Sequence, residues 1–74
     1  MTYSQIKEKL QRLLGQLQQE KWLENVPFEA FAARSAYYMA ELNYIHPFRE
    51  GNGRAIREFM RLLFLHNGYV VQWD

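Results

Sequence analysis

Cysteine is absent from this chain, which excludes a disulfide framework and a thiol-bound structural zinc, and is compatible with a reducing, cytoplasmic setting. There is no excess of either charge: nine Lys and Arg stand against eight Asp and Glu. Bulk electrostatics therefore argue for neither nucleic acid nor an anionic membrane as a partner. No apolar stretch approaches the ~20 residues of a membrane span. The polar start Thr2-Tyr3-Ser4-Gln5 is not a signal peptide. With only two prolines and four glycines, the chain has no low-complexity segment and no stretch that reads as a domain linker. A P-loop is excluded as well, because no G-x-x-x-x-G-K-[ST] occurs.

What the chain does contain is apolar and aromatic material, 49% and 16% of its 74 residues, which marks a folded domain and leaves room for one. A chain this short buries only about 60% of its unfolded surface, so marginal stability is expected. The periodicities predict a small all-α bundle of about three helices. Thr2 to Gln5 can form a capping box, and Tyr3, Ile6, Leu10, Leu13, Leu14 and Leu17 make one stripe of a helix running to about Glu20. Asn25-Val26-Pro27 punctuates the chain, with Pro27 suited to a first helical position. Phe28, Phe31, Ala32, Ser35, Met39 and Leu42 then share a face, with Ala30, Ala33 and Ala36 as a small-residue face beside it. Pro47 disfavours helical geometry at His46, so this helix ends near Ile45. A third helix opens around Gly53 and stops at Asn67-Gly68. Its apolar face is Ile56, Phe59, Met60 and Leu63, with Leu62, Phe64 and Leu65 expected to be exposed. His66, late in that helix, reads as structural.

Between the second and third helices lies His46-Pro47-Phe48-Arg49-Glu50-Gly51-Asn52-Gly53-Arg54, which few structural needs explain. Histidine exchanges a proton near neutrality, and Glu50 is a hard oxygen donor suited to Mg²⁺. Gly51 and Gly53 leave backbone N–H groups uncovered beside a helix start, where an anion is favoured. Arg49, Arg54, Arg57 and Arg61 outnumber Glu50 and Glu58 locally. Base, metal ligand, anion cradle and cation together suit phosphoryl or nucleotidyl transfer. Simpler readings exist for each residue: a helix-start carboxylate for Glu50, a turn residue for Asn52, surface ion pairs with Glu50 or Glu58 for Arg54 and Arg57. Phe48 reads as a core anchor, and Arg49 and Arg61 as surface residues.

The run His46-x-Phe48-x-Glu50-Gly51-Asn52-Gly53-Arg54, followed by Arg57, closely resembles the motif of Fic domains, H-x-F-x-[DE]-G-N-G-R-x-x-R. The resemblance implies an enzyme that moves AMP from ATP onto a Ser, Thr or Tyr hydroxyl of a target protein. It would make His46 the general base and Glu50 the Mg²⁺ ligand. Asn52 would bind the α-phosphate, with the Gly51 and Gly53 amides completing an anion hole, and Arg54 and Arg57 would grip the β- and γ-phosphates. Fic domains usually carry a β-hairpin flap upstream and further helices downstream. Neither is visible here, so residues 1–74 are expected to form a single partial Fic domain with the motif at 46–57. An inhibitory antitoxin is a further partner the family allows. The family's inhibitory pattern, [ST]-x-x-x-E-[GN], is met by Ser4 to Glu8 but broken by Lys9. A Fic-type phosphotransferase is the alternative enzyme, disfavoured by the intact glycines. A truncated, inactive remnant serving as a binding module is the alternative of another class.

Overall fold

The computed structural model describes residues 2–45 and 52–71, with the backbone but not the side chain of Asn52. His46, Phe48, Arg49, Glu50, Gly51 and the tail from Gln72 lie outside the described residues. Among the described residues three α-helices form, α1 over Tyr3–Gln19, α2 over Phe28–Ile45 and α3 over Asn52–His66, with a short 3-10 turn at Lys21–Leu23. No strand occurs among the described residues. The expected all-α bundle is what the chain builds.

α1 begins with the capping box that its sequence announces. The Thr2 amide donates to Gln5 Oε1 at 2.9 Å and the Gln5 amide donates to Thr2 Oγ1 at 3.3 Å, satisfying two of the helix's first free donors. Leu13 and Leu17 are buried, and Ile6 and Leu10 pack against the core from its edge. Tyr3 is 79% exposed, contrary to its expected place in the stripe. The reason is register. α1 runs antiparallel to α2, with Glu20 beside Arg34, Gln16 beside Tyr37 and Lys9 beside Tyr44. Tyr3 consequently overshoots Ile45, the last residue of α2.

α2 is the central helix, buried at Phe31, Ser35, Tyr38, Leu42 and Ile45, the 3–4 spacing of one helical face. That face is rotated from the one read off the sequence. Phe28 is 62% exposed, Ala32 is exposed and Met39 is only half-buried, whereas Tyr38 and Ile45 are inside. A tyrosine can be buried only where its hydroxyl finds a partner. Here that partner is the carboxylate of Glu20, at the end of α1. Ala30, Ala33 and Ala36 are all exposed. The Pro27 carbonyl accepts the first helical bond, from the Phe31 amide at 2.8 Å, which sets Pro27 one place ahead of the first helical residue.

α3 packs antiparallel on the other side of α2, burying Ile56, Met60 and Leu63. Phe64, expected to be exposed, is half-buried and meets Phe31 edge to face at 5.1 Å between ring centroids. Leu62 and Leu65 are exposed as expected, each at 51%. The helix stops at Gly68, whose φ of +85° suits a residue without Cβ. Tyr69 then folds back onto Phe31, their ring centroids 4.9 Å apart.

The connection from α1 to α2 is the least expected part of the fold. Lys21, Trp22 and Leu23 have φ of 55°, 55° and 62°, so the chain turns left-handed through three residues that disfavour it by about 1–2 kcal/mol each, while Asn25, at 60°, is of a type that tolerates it. Leu23 compensates by burying its side chain in the core. The far end of α3 holds the turn from outside. Asn67 Nδ2 donates to the Trp22 carbonyl at 3.0 Å, and His66 meets the Glu24 carboxylate.

Ser35 is 2% exposed and its hydroxyl has no hydrogen-bond partner among the described residues. It lies on a groove of about 220 Å³ between α2 and α3, lined otherwise by apolar residues such as Phe31, Ala36, Met39 and Met60. A buried, unpaired hydroxyl costs free energy, and alanine is the better helix former. Ser35→Ala is therefore expected to stabilise the fold by roughly 1 kcal/mol, a rise of about 4–8 °C in Tm. A fall in Tm in a thermal melt would mean that the hydroxyl is bonded in solution.

Candidate active site

The described part of the motif lies on the first two turns of α3. Asn52 opens the helix, and Gly53, Arg54 and Arg57 follow. The first turn of a helix has no internal partners for its N–H groups and carries the positive end of the dipole. Arg54 and Arg57, three residues apart, share one face and are both exposed. The Arg57 side chain folds back along the helix. Its Nη1 lies 3.0 Å from where a Cβ on Gly53 would stand. Two arginines thus occupy the first two turns of α3, with the Arg57 guanidinium beside Gly53, at the helix end whose dipole favours anions.

Arg61, one turn further on, is committed elsewhere. Its Nε and Nη2 donate to both oxygens of Glu58 at 3.0 and 2.7 Å. The Arg61 hydrogen bonds hold the Glu58 carboxyl below the usual carboxylate range. The surface ion pair anticipated for Arg54 or Arg57 with Glu58 is made by Arg61 instead.

The helices that flank residues 46–51 in the sequence are each held in the core. Ile45, the residue before His46, is 4% exposed, and Ile56 on α3 is 3% exposed. Burial of each contributes roughly 1.5–3 kcal/mol, which fixes the two helix ends between which the motif runs. Ile45 also borders a shallow polar cleft of about 220 Å³ between α1 and α2, with Lys9, Gln16, Tyr37, Glu41 and Tyr44 on its walls. The structure brings Gly53, Arg54 and Arg57 together, while His46, Glu50, Gly51 and the Asn52 side chain fall outside what it describes.

One polar cluster has no counterpart in the motif. Arg34 donates to Glu20 through Nε at 2.9 Å and Nη2 at 2.7 Å, Tyr38 donates to the same carboxylate, and the guanidinium lies 4.6 Å from the Tyr37 ring centroid. The Arg34 hydrogen bonds hold the Glu20 carboxyl low. Burial, and then the Glu20 hydrogen bond, push the Tyr38 phenol up to about 12. Eleven residues of helix, about 16 Å, separate Arg34 from Ile45. The cluster clamps α1 to α2. Only the 34/38 spacing hinted at it, because Glu20 belongs to another element.

His66 sits at the opposite end of α3 from Asn52, beside Glu24. Among the described residues no three His, Asp or Glu side chains form a metal cluster, and no helix is long and apolar enough to cross a membrane.

Comparison with known proteins decides what this arrangement belongs to, since the model of the Fic/DOC family matches residues 1–64. The chain is a member of the Fic/DOC family. It is 44% identical over 72 residues to protein adenylyltransferase VbhT of Bartonella schoenbuchensis, covering 97% of this chain and 15% of that protein. Probable protein adenylyltransferases Fic of Salmonella typhimurium and Escherichia coli are 38% and 35% identical over 72 residues, again 97% of this chain. The chain spans 36% of the length of each of those two Fic relatives. No solved structure matches it significantly.

Proposed function

We propose that this Fic segment carries the nucleotide-handling and proton-transfer part of a cytoplasmic protein adenylyltransferase. The observation that supports it best is the unbroken motif from His46 to Arg57 in a Fic chain, with Gly53, Arg54 and Arg57 gathered at the mouth of α3. The acceptor is a Ser, Thr or Tyr hydroxyl of a target protein. His46 takes its proton as the oxygen attacks the α-phosphorus of ATP. A new P–O bond forms to the acceptor, the bond to the β-phosphate oxygen breaks, and pyrophosphate leaves. Asn52 and the Gly51 and Gly53 amides stabilise the charge that grows on the α-phosphate. Arg54 and Arg57 hold the β- and γ-phosphates, for which the planar guanidinium fork is suited.

Mg²⁺ is the metal this chemistry implies, and the donor set fits it. Mg²⁺ takes one or two carboxylates with phosphate oxygens and waters, so Glu50 suffices from the protein's side. When bound, the ion neutralises phosphate charge. An antitoxin is a compatible inhibitory partner. Because the chain spans about a third or less of its relatives' length, an inactive remnant that binds but does not transfer is the second reading.

The position of the label separates these functions. ATP labelled at the α-phosphate is expected to leave label covalently on an acceptor protein, and ATP labelled at the γ-phosphate is not. Label from the γ-position would identify a phosphotransferase. No label from either, with Mg-ATP still bound in calorimetry, would identify a binding module.

A further inference from the structure

Gly53 has no backbone reason to be glycine. It lies within α3, and only Gly68 among the described glycines has a positive φ, so an alanine at 53 would adopt the same conformation and favour the helix. What glycine provides there is space on its side-chain side. Among the described residues, and apart from its chain neighbours and the backbone of its own helix, the three heavy atoms nearest to a Cβ at this position all belong to one group: Arg57 Nη1 at 3.0 Å, Cζ at 3.8 Å and Nη2 at 4.0 Å. Helical side chains lean toward the N-terminus, so the residue four places on lies over the turn before it. The guanidinium of Arg57 accordingly rests beside the bare Cα of Gly53, in the first turn of the helix, the positive end of its dipole.

We infer that Gly53 is a positioning residue for Arg57: its missing side chain lets the guanidinium sit down at the mouth of α3, within reach of the polyphosphate tail of a nucleotide. This rests on the proposed nucleotide site. It gives Gly53 a role distinct from the donation of its own amide, which alanine would preserve. A methyl at 53 forces the guanidinium away by a few tenths of an ångström, enough to spoil a two-point grip on phosphate oxygens without disturbing the fold.

A double-mutant cycle on the full chain tests it, with Kd for Mg-ATP from calorimetry and Tm from a thermal melt. Gly53→Ala is expected to raise Tm while raising Kd by roughly three- to tenfold, the scale of a small misplacement of a binding group. In the Arg57→Ala background the same substitution is expected to change Kd by less than about twofold, since the group it displaces is gone. An equal effect in both backgrounds, with Arg57→Ala itself weakening binding, overturns the inference and leaves the nucleotide site standing. Unchanged Kd in both Arg54→Ala and Arg57→Ala overturns the site itself.

Discussion

Replacing His46 by alanine is expected to lower AMP transfer by about 10²- to 10⁴-fold, the contribution of a positioned general base, while affinity for Mg-ATP stays within a few fold. In the proposed mechanism the two readouts separate because the base acts on the acceptor hydroxyl, whereas Asn52, Arg54 and Arg57 are assigned to the nucleotide. Nothing in the attacking hydroxyl replaces the lost base. Ile45, immediately before it in the sequence, is tightly buried, so α2 is expected to survive the substitution and Tm should barely move. A histidine with a purely structural role would behave in the opposite way, lowering Tm and altering no rate that stability did not explain. Transfer of α-label at the unmutated rate would remove His46 from the chemistry.

The second large effect distinguishes arginines that lie one or two turns apart on α3. Arg54→Ala is expected to weaken Mg-ATP binding by roughly 10- to 100-fold, the worth of a charge-assisted hydrogen bond of about 1.5–3 kcal/mol. Arg61→Ala is expected to change it less than about twofold, because an exposed ion pair such as that with Glu58 contributes little. Both substitutions remove one positive charge from the same helix. The comparison therefore cancels the general electrostatic contribution and leaves the specific contact. Equal losses in calorimetry would show that α3 attracts nucleotide by net charge alone, and the assignment of Arg54 to phosphate would fall.

The sequence was most informative where local chemistry dictates the outcome. The capping box at Thr2 and the stop at Gly68 each depend on residues within a few positions of one another, and each occurs as expected. Packing was harder to read because it depends on partners from other elements. Tyr38 goes inside only because Glu20 waits there, which rotates the buried face of α2 away from Phe28 and Met39. Phe64 is half-buried because the Phe31 ring, from another helix, meets it edge to face. Nothing in Lys21-Trp22-Leu23 announces a left-handed turn, since it contains none of the residues that favour one. For the site, residue types and order were legible and family membership bears out the resemblance. The pose of Arg57 over Gly53 and the commitment of Arg61 to Glu58 were not, because side-chain direction and competition between neighbours are settled only in three dimensions.

That left-handed turn also makes one cooperative unit of the two ends of the bundle. Lys21, Trp22 and Leu23 cannot hold their backbone conformation on local preference, and the hydrogen bond from Asn67 to the Trp22 carbonyl reaches them across 45 positions of sequence. If the end of α3 lifts, the turn loses this outside support and relaxes toward right-handed or extended geometry. Leu23 then leaves the core and the Glu20 clamp on Arg34 and Tyr38 loses its register. Fraying at the last turn of α3 is thus transmitted to the α1–α2 contact, and amide exchange in these two regions should follow a single opening free energy rather than two.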